Sequence, residues 1–199
     1  RFSEIQKILK LLNLDINEIK KVNGNVNLQT KVNFNFDNPY KINNLFYTTT
    51  GNVNYLEIET EEKNIIKKYL PNLNSKIILK NTKIKLSKSK PEFNIELDGY
   101  INANNQFDII KIKETYNYNK KKFFVNGLIG LTNSNVKIQK LNFNKKEGKD
   151  SEVSFDLNFV LNKFYNIKNL NFFNDKSKIY LSNVKINENF QVIDFKNLK

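Results

Sequence analysis

The chain contains no cysteine and no histidine. Without cysteine there are no disulfides and no thiolate-ligated zinc or iron–sulfur sites, and an oxidising compartment such as the periplasm is compatible with the composition. Without histidine the commonest metal ligand and general base are missing, so neither a Ser-His-Asp nor a Cys-His arrangement exists within the chain. All-oxygen sites for calcium or magnesium stay open in principle, but no Asp/Glu loop has the required spacing. Arg1 is the single arginine, although the net charge is +13. Arginine supplies most bidentate phosphate and guanine contacts. A positive charge carried by lysine, in a chain also rich in Asn, Ile and Phe, reads as a solvated face from an AT-rich genome. It implies a weak attraction to anionic headgroups and disfavours nucleic acid as a partner.

Long apolar runs are also missing. None approaches the ~20 residues that a membrane-spanning helix needs, and no signal-peptide pattern is visible. The chain opens on Arg1 and has no methionine. That is expected of an excised or processed piece, and leaves room upstream for an anchor or export signal. No stretch rich in Pro, Gly or Ser divides the 199 residues, and a single β-rich segment over 1–199 is expected.

What is present is alternation. In VNGNVNLQTKVNFNF, residues 22–36, the even positions are Val22, Gly24, Val26, Leu28, Thr30, Val32, Phe34 and Phe36, and the odd ones are Asn, Gln or Lys. A period of two puts one chemistry on each face of a strand. Most strands have about 5–6 residues, so this one is unusually long. Val153, Phe155, Leu157, Phe159 and Leu161 repeat the pattern. Two apolar strips follow, Val26, Leu28, Val32, Phe34, Phe36 and Phe155, Leu157, Phe159, Leu161. They are the candidate lining of a lipid groove, since an acyl chain needs a continuous apolar surface and neither base nor metal. Packing as an ordinary core is the competing reading of the same strips.

Around them the pattern is mostly β. Phe2, Ile5, Leu9 and Leu12 form one helical stripe, giving a helical lead-in over 1–20. An antiparallel meander over 21–199 is expected to follow. Strands are expected at 42–50 and 52–59 around Gly51, at 76–79, 83–86, 92–102, 106–113, 115–118, 122–131, 134–143 and 153–161, and at 167–173, 178–181, 184–186 and 190–195. Val53 and Tyr55 change phase against Leu56 and Ile58, which suggests a bulge. Asp37-Asn38-Pro39 reads as a turn, and residues 61–70, capped by Thr60 and stopped by Pro71, as a short internal helix. Residues 145–150, KKEGKD, read as a polar turn. Asp98-Gly99 reads as a hairpin turn or a glycine bulge.

Two weaker constellations favour structure over chemistry. Glu57 and Glu59 share a strand face while Glu61 and Glu62 suit a helix first turn, so no carboxylate pair faces a cleft. Tyr116, Tyr118, Phe123 and Phe124 surround Lys120-Lys121-Lys122, which fits strand–turn–strand better than a single-stranded nucleic-acid site.

The segments "IKKVNGNVNL" (19–28), "GNVNYLEIE" (51–59), "ELDGYINANNQFD" (96–108) and "VNGLIGLTNSNVKIQKLNF" (125–143) together resemble the repetitive β-region of AsmA-like proteins, the YhdP-type members of AT-rich bacteria above all. The resemblance is one of texture over 21–199. It implies a mainly β fold, an elongated curved antiparallel sheet of groove-like, β-taco type. It implies a cell-envelope protein tethered to the inner membrane by a segment outside this chain. It also implies passage of phospholipid through the periplasm towards the outer membrane. No catalytic residues and no cofactors come with it. A structural or adhesive surface β-module without a small ligand is the alternative.

Overall fold

The computed structural model describes residues 19–37, 41–60, 76–102, 106–138, 142–160, 163–175, 177–187, 191–194 and 196–198. Both expected helices and the 37–39 turn lie wholly or partly outside them. The described residues build one open antiparallel sheet of eleven strands and a separate two-stranded hairpin. The strands are β1 (Ile19–Asp37), β2 (Lys41–Thr60), β3 (Lys76–Ser89), β4 (Glu92–Asn102), β5 (Phe107–Asn117) and β6 (Lys122–Gly130). They continue as β7 (Val136–Ile138), β8 (Phe143–Lys145), β9 (Ser151–Val160), β10 (Phe164–Asn174) and β11 (Ser177–Asn187), and end with β12 (Val192–Asp194) and β13 (Asn197–Leu198). The order is β1-β2-β3-β4-β5-β6-β9-β10-β11-β12, with β13 also on β11. Each strand of the main path therefore pairs with its chain neighbour, except where β7 and β8 leave the sheet between β6 and β9.

Several expected breaks are not breaks. Residues 42–50 and 52–59 form the single 20-residue β2, with Gly51 inside it. Likewise 76–79 and 83–86 join in β3, 106–113 and 115–118 largely in β5, and 178–181 and 184–186 in β11. In β2 and β3 the reason is a bulge, whereas β5 runs through Glu114 with no register shift. Where one strand carries an extra residue, the apolar parity shifts by one and pairing resumes. The β1–β2 register shifts between Asn25 and Val26, as the phase change at Val53 and Leu56 suggests. The β3–β4 register shifts between Lys80 and Lys83, with Asn81 at φ 47°. Asn183 of β11 has φ 52°, and the β9–β10 register shifts between Ile167 and Asn169. Asparagine tolerates this left-handed backbone better than most residues.

Asp98-Gly99 is not a turn, since both residues lie within β4; Gly99 stands at the β3–β4 bulge, opposite Asn81 and Thr82. Gly99 is needed for a close approach, because a Cβ there would lie 2.4 Å from the Thr82 Cα. Residues 134–143 are not one strand but most of the β7–β8 hairpin. The 145–150 turn begins with Lys145 buried rather than solvated. The Lys120-Lys121-Lys122 segment does make the β5–β6 connection, with Lys121 at φ 49°.

Candidate functional site: an apolar face across the sheet

Directly opposed residues in an antiparallel ladder project to the same face. Followed from strand to strand, the register therefore shows which side chains share a surface. One row runs Leu28–Gly51–Ile84–Leu97–Ile112–Gly127–Phe155–Leu170–Leu181, from β1 to β11. The next row on one side runs Ile110–Ile129–Val153–Phe172–Ile179. On the other side Leu86–Ile95–Glu114–Val125–Leu157–Ile167–Val184 crosses β3 to β11. Beyond it lies a row rich in rings, Phe93–Tyr116–Phe123–Phe159–Tyr165. The two apolar strips thus belong to one face, separated by the strands between β2 and β6.

Burial is uneven along this face. Val53, Leu79 and Ile110 are buried together, with Leu56, Ile84, Ile101, Ile112 and Ile129 packed against them. Phe155, Leu157 and Phe159 of β9 are half-buried. On the edge strand β1, Val26, Leu28, Val32 and Phe34 are 43–49% exposed, and Phe36 is 64% exposed. Leu161 lies outside the described residues. Phe34 and Phe36 meet edge to face, their ring centroids 5.0 Å apart. A hollow of about 850 Å³ follows the Gly51–Ile84–Leu97–Ile112–Gly127 row and the residues flanking it, and reaches Phe155. At Gly51 a Cβ would lie 1.9 Å from the Asn27 carbonyl oxygen. Glycine thus lets β1 lean over the apolar side of β2.

The ring-rich row is a stack. Tyr116 and Phe123 have centroids 4.5 Å apart, Phe123 and Phe159 lie nearly parallel at 4.8 Å, and Phe159 meets Tyr165 at 5.4 Å. Tyr118 packs edge-on to Tyr116, and Lys88 Nζ lies 5.8 Å from the Tyr118 ring centre. Burial raises the Tyr118 pKa, with Tyr116 adding to the shift.

The opposite face is mainly polar. Lys113 Nζ lies 3.3 Å from Glu96 Oε1 and Lys111 Nζ lies 3.7 Å from Asp98 Oδ2. Such exposed cross-strand pairs contribute a few tenths of a kcal/mol to about 1 kcal/mol each. Glu57 accepts a 2.9 Å hydrogen bond from the Tyr55 hydroxyl, and with the Lys76 ammonium at 3.3 Å this holds its carboxyl below the ordinary value. The face is not wholly polar, because Tyr100, Ile109 and Phe173 also emerge on it.

A third component has no clear precedent in the sequence pattern. The 131–150 insertion packs Leu131, Val136, Ile138 and Phe143 onto Ile129, Val153, Phe172 and Ile179, at one end of the apolar face. Phe143 meets Phe172 edge to face at 5.3 Å. Buried Lys145 pins the insertion by donating from Nζ to the carbonyls of Leu131, Thr132 (2.9 Å) and Ser134 (2.7 Å). Burial lowers its pKa, against an opposing pull from Asp108, Glu147, Asp150 and Asp175. Asp108, also buried, accepts from the Asn133 backbone N–H at 3.2 Å. The available signal was the apolar spacing of Val136, Ile138 and Phe143, which reads equally well as one strand.

Among the described residues no three Asp or Glu side chains gather as a metal site would require, and no helix is long and apolar enough to cross a membrane. No family model, no curated protein and no solved structure matches this chain.

Proposed function

We propose that this chain is a non-enzymatic, lipid-carrying segment of a cell-envelope protein, and that its apolar face holds phospholipid acyl chains. The observation that carries the reading is continuity. The row from Leu28 to Leu181 crosses nine strands with only aliphatic, phenyl or glycine positions. A closed core needs a second layer over such a face. Among the described residues the 131–150 insertion covers one end of it. Elsewhere Val53, Leu79, Phe93, Ile110 and Val184 are buried, the row from Ile84 to Leu181 is half-buried, and Val26, Leu28, Val32, Phe34 and Phe36 of β1 are 43–64% exposed.

The finer architecture belongs to the same reading. It is an elongated sheet curved towards its apolar side, a groove of the kind implied by the resemblance to AsmA-like proteins. The leaning of strands at Gly51 and Gly99 supports that curvature. Ten strands spaced roughly 4.8 Å apart make a groove on the order of 45 Å long. Each methylene taken from water contributes about 0.8 kcal/mol, so acyl chains are held without specific polar contacts. In this reading the segment acts in the periplasm, tethered by a part of the protein outside this chain, and its lysine-rich outer face stays in water. The alternative, a structural or adhesive module, requires a protein partner over the same face.

Native mass spectrometry of the purified segment, followed by lipid extraction, tests the proposal. Co-purifying phospholipid that is lost in the Val32→Asp/Phe34→Asp variant is the expected result. A lipid-free, folded monomer sinks the proposal and leaves the structural module.

A further inference from the structure

Two carboxylates stand on the apolar face among the described residues. Asp108 is at the strand end and is satisfied by Asn133 and Ser134. Glu114 is not at an end. It is paired across the ladder with Ile95 and Val125, and it lies in line with Ile112 and Tyr116. It is half-buried and makes no hydrogen bond or ion pair with the described residues. Burial raises its pKa. An ionised carboxylate in apolar surroundings is costly unless a cation meets it.

The titratable groups on this face are few. From β2 comes Tyr47 and from β3 Lys88, which lies over the Tyr118 ring; β5 itself adds Tyr116 and β10 adds Tyr165. β4 and β6 present Phe93, Ile95, Leu97, Phe123, Val125 and Gly127 beside Glu114. Among the described residues no cation pairs with the carboxylate. Its neighbours one row outward, about 7 Å along the strands, are instead the rings Phe93, Tyr116 and Phe123. A carboxylate one row from half-buried aromatic rings is the chemistry that recognises an organic ammonium group, by charge first and by cation–π attraction to whatever ring surface the stack leaves open.

We propose that Glu114 and the half-buried Tyr116 and Phe123 rings, backed by buried Phe93, form a headgroup site at the rim of the groove, and that it selects amphiphiles bearing an ammonium group. This deepens the reading above and rests on it. The tail lies along the aliphatic rows, and the ammonium sits between the Glu114 carboxylate and the rings. The site works against the field of the whole molecule, because a net charge of +13 favours anions everywhere else. A preference for a cation therefore has to be local.

Isothermal titration of the full chain with three ten-carbon probes, below their micelle concentrations, separates the terms. The probes are decyltrimethylammonium, decanol and decanoate. The ammonium probe is expected to bind about tenfold tighter than decanol, a difference of about 1.4 kcal/mol. Glu114→Gln is expected to bring the two within about twofold, and Tyr116→Leu to narrow the gap partway. Equal binding of ammonium and decanol in the unaltered chain, or a preference that survives Glu114→Gln, overturns the headgroup site while leaving the groove intact. Failure of all three probes to bind overturns the groove reading and this one with it.

Discussion

At the scale of the residue, the informative positions are polar groups placed where apolar ones are expected. Lys145 sits at the start of a six-residue polar run, yet it is 3% exposed and its ammonium is spent on three carbonyls. Replacing it with Met leaves those carbonyls without their donor. Lys145→Met is expected to lower stability by about 2–4 kcal/mol in urea unfolding, because buried acceptors lose their partner. A change within a few tenths of a kcal/mol contradicts the pinning role. Glu114 gives a pH signature. Its folded pKa is raised above the ordinary 4.5, so its contribution to stability is fully present below that value and is lost as pH rises through the folded pKa. Glu114→Gln removes the loss. The variant is expected to match the unaltered chain at acidic pH and to melt higher at neutral pH. A melting difference that does not change with pH contradicts the placement of this carboxylate on the apolar face.

At the scale of the element, alternation was legible and interruption was not. The apolar parity of β1 and β9 marks one face directly, and β4 matches its expected bounds of 92–102. What misled was local turn chemistry inside long strands. Gly51 and Asp98-Gly99 carry turn signals, yet they stand where neighbouring backbones come closest, and there the lack of a Cβ is what matters. Asn81 likewise marks a bulge that keeps β3 going, and Asn183, also left-handed, stands inside β11 rather than at its end. The 131–150 insertion was illegible for another reason. Its period-two pattern holds for a short hairpin as well as for a sheet strand, and tertiary packing on Phe172 decides between them. Gly99→Val tests the close approach. A branched side chain there meets the backbone and side chain of Thr82, which is itself fully buried. The variant is expected to lose at least about 2 kcal/mol of stability, as overpacking at a site unable to yield does. Unchanged unfolding contradicts the close β3–β4 approach.

At the scale of the whole molecule, the sheet separates its two tasks by face. The polar side carries a lysine-bearing surface, on which ladder pairs such as Lys113–Glu96 and Lys111–Asp98 add modestly to the strand pairing. The apolar side runs unbroken across strands far apart in sequence, from Leu28 to Leu181. Part of this was readable residue by residue, since the strips at 26–36 and 155–159 lie on one face. Their union was not, because it depends on six strand pairings, from β1–β2 to β6–β9, whose parity the bulges reset. Among the described residues β1 is a 19-residue edge, and Val26, Leu28, Val32, Phe34 and Phe36 on it are exposed. Such edges pair with further strands unless something covers them.

The most direct test of the lipid-carrying account places a photo-reactive side chain at single positions and irradiates the chain with phospholipid vesicles. Positions Val32, Leu97 and Leu157 report on the apolar face, and Asn33, Glu96 and Asp156 on the polar face. The account predicts phospholipid adducts from the first three and background from the second three. Adducts spread equally over both faces, or none from the apolar positions, would contradict it.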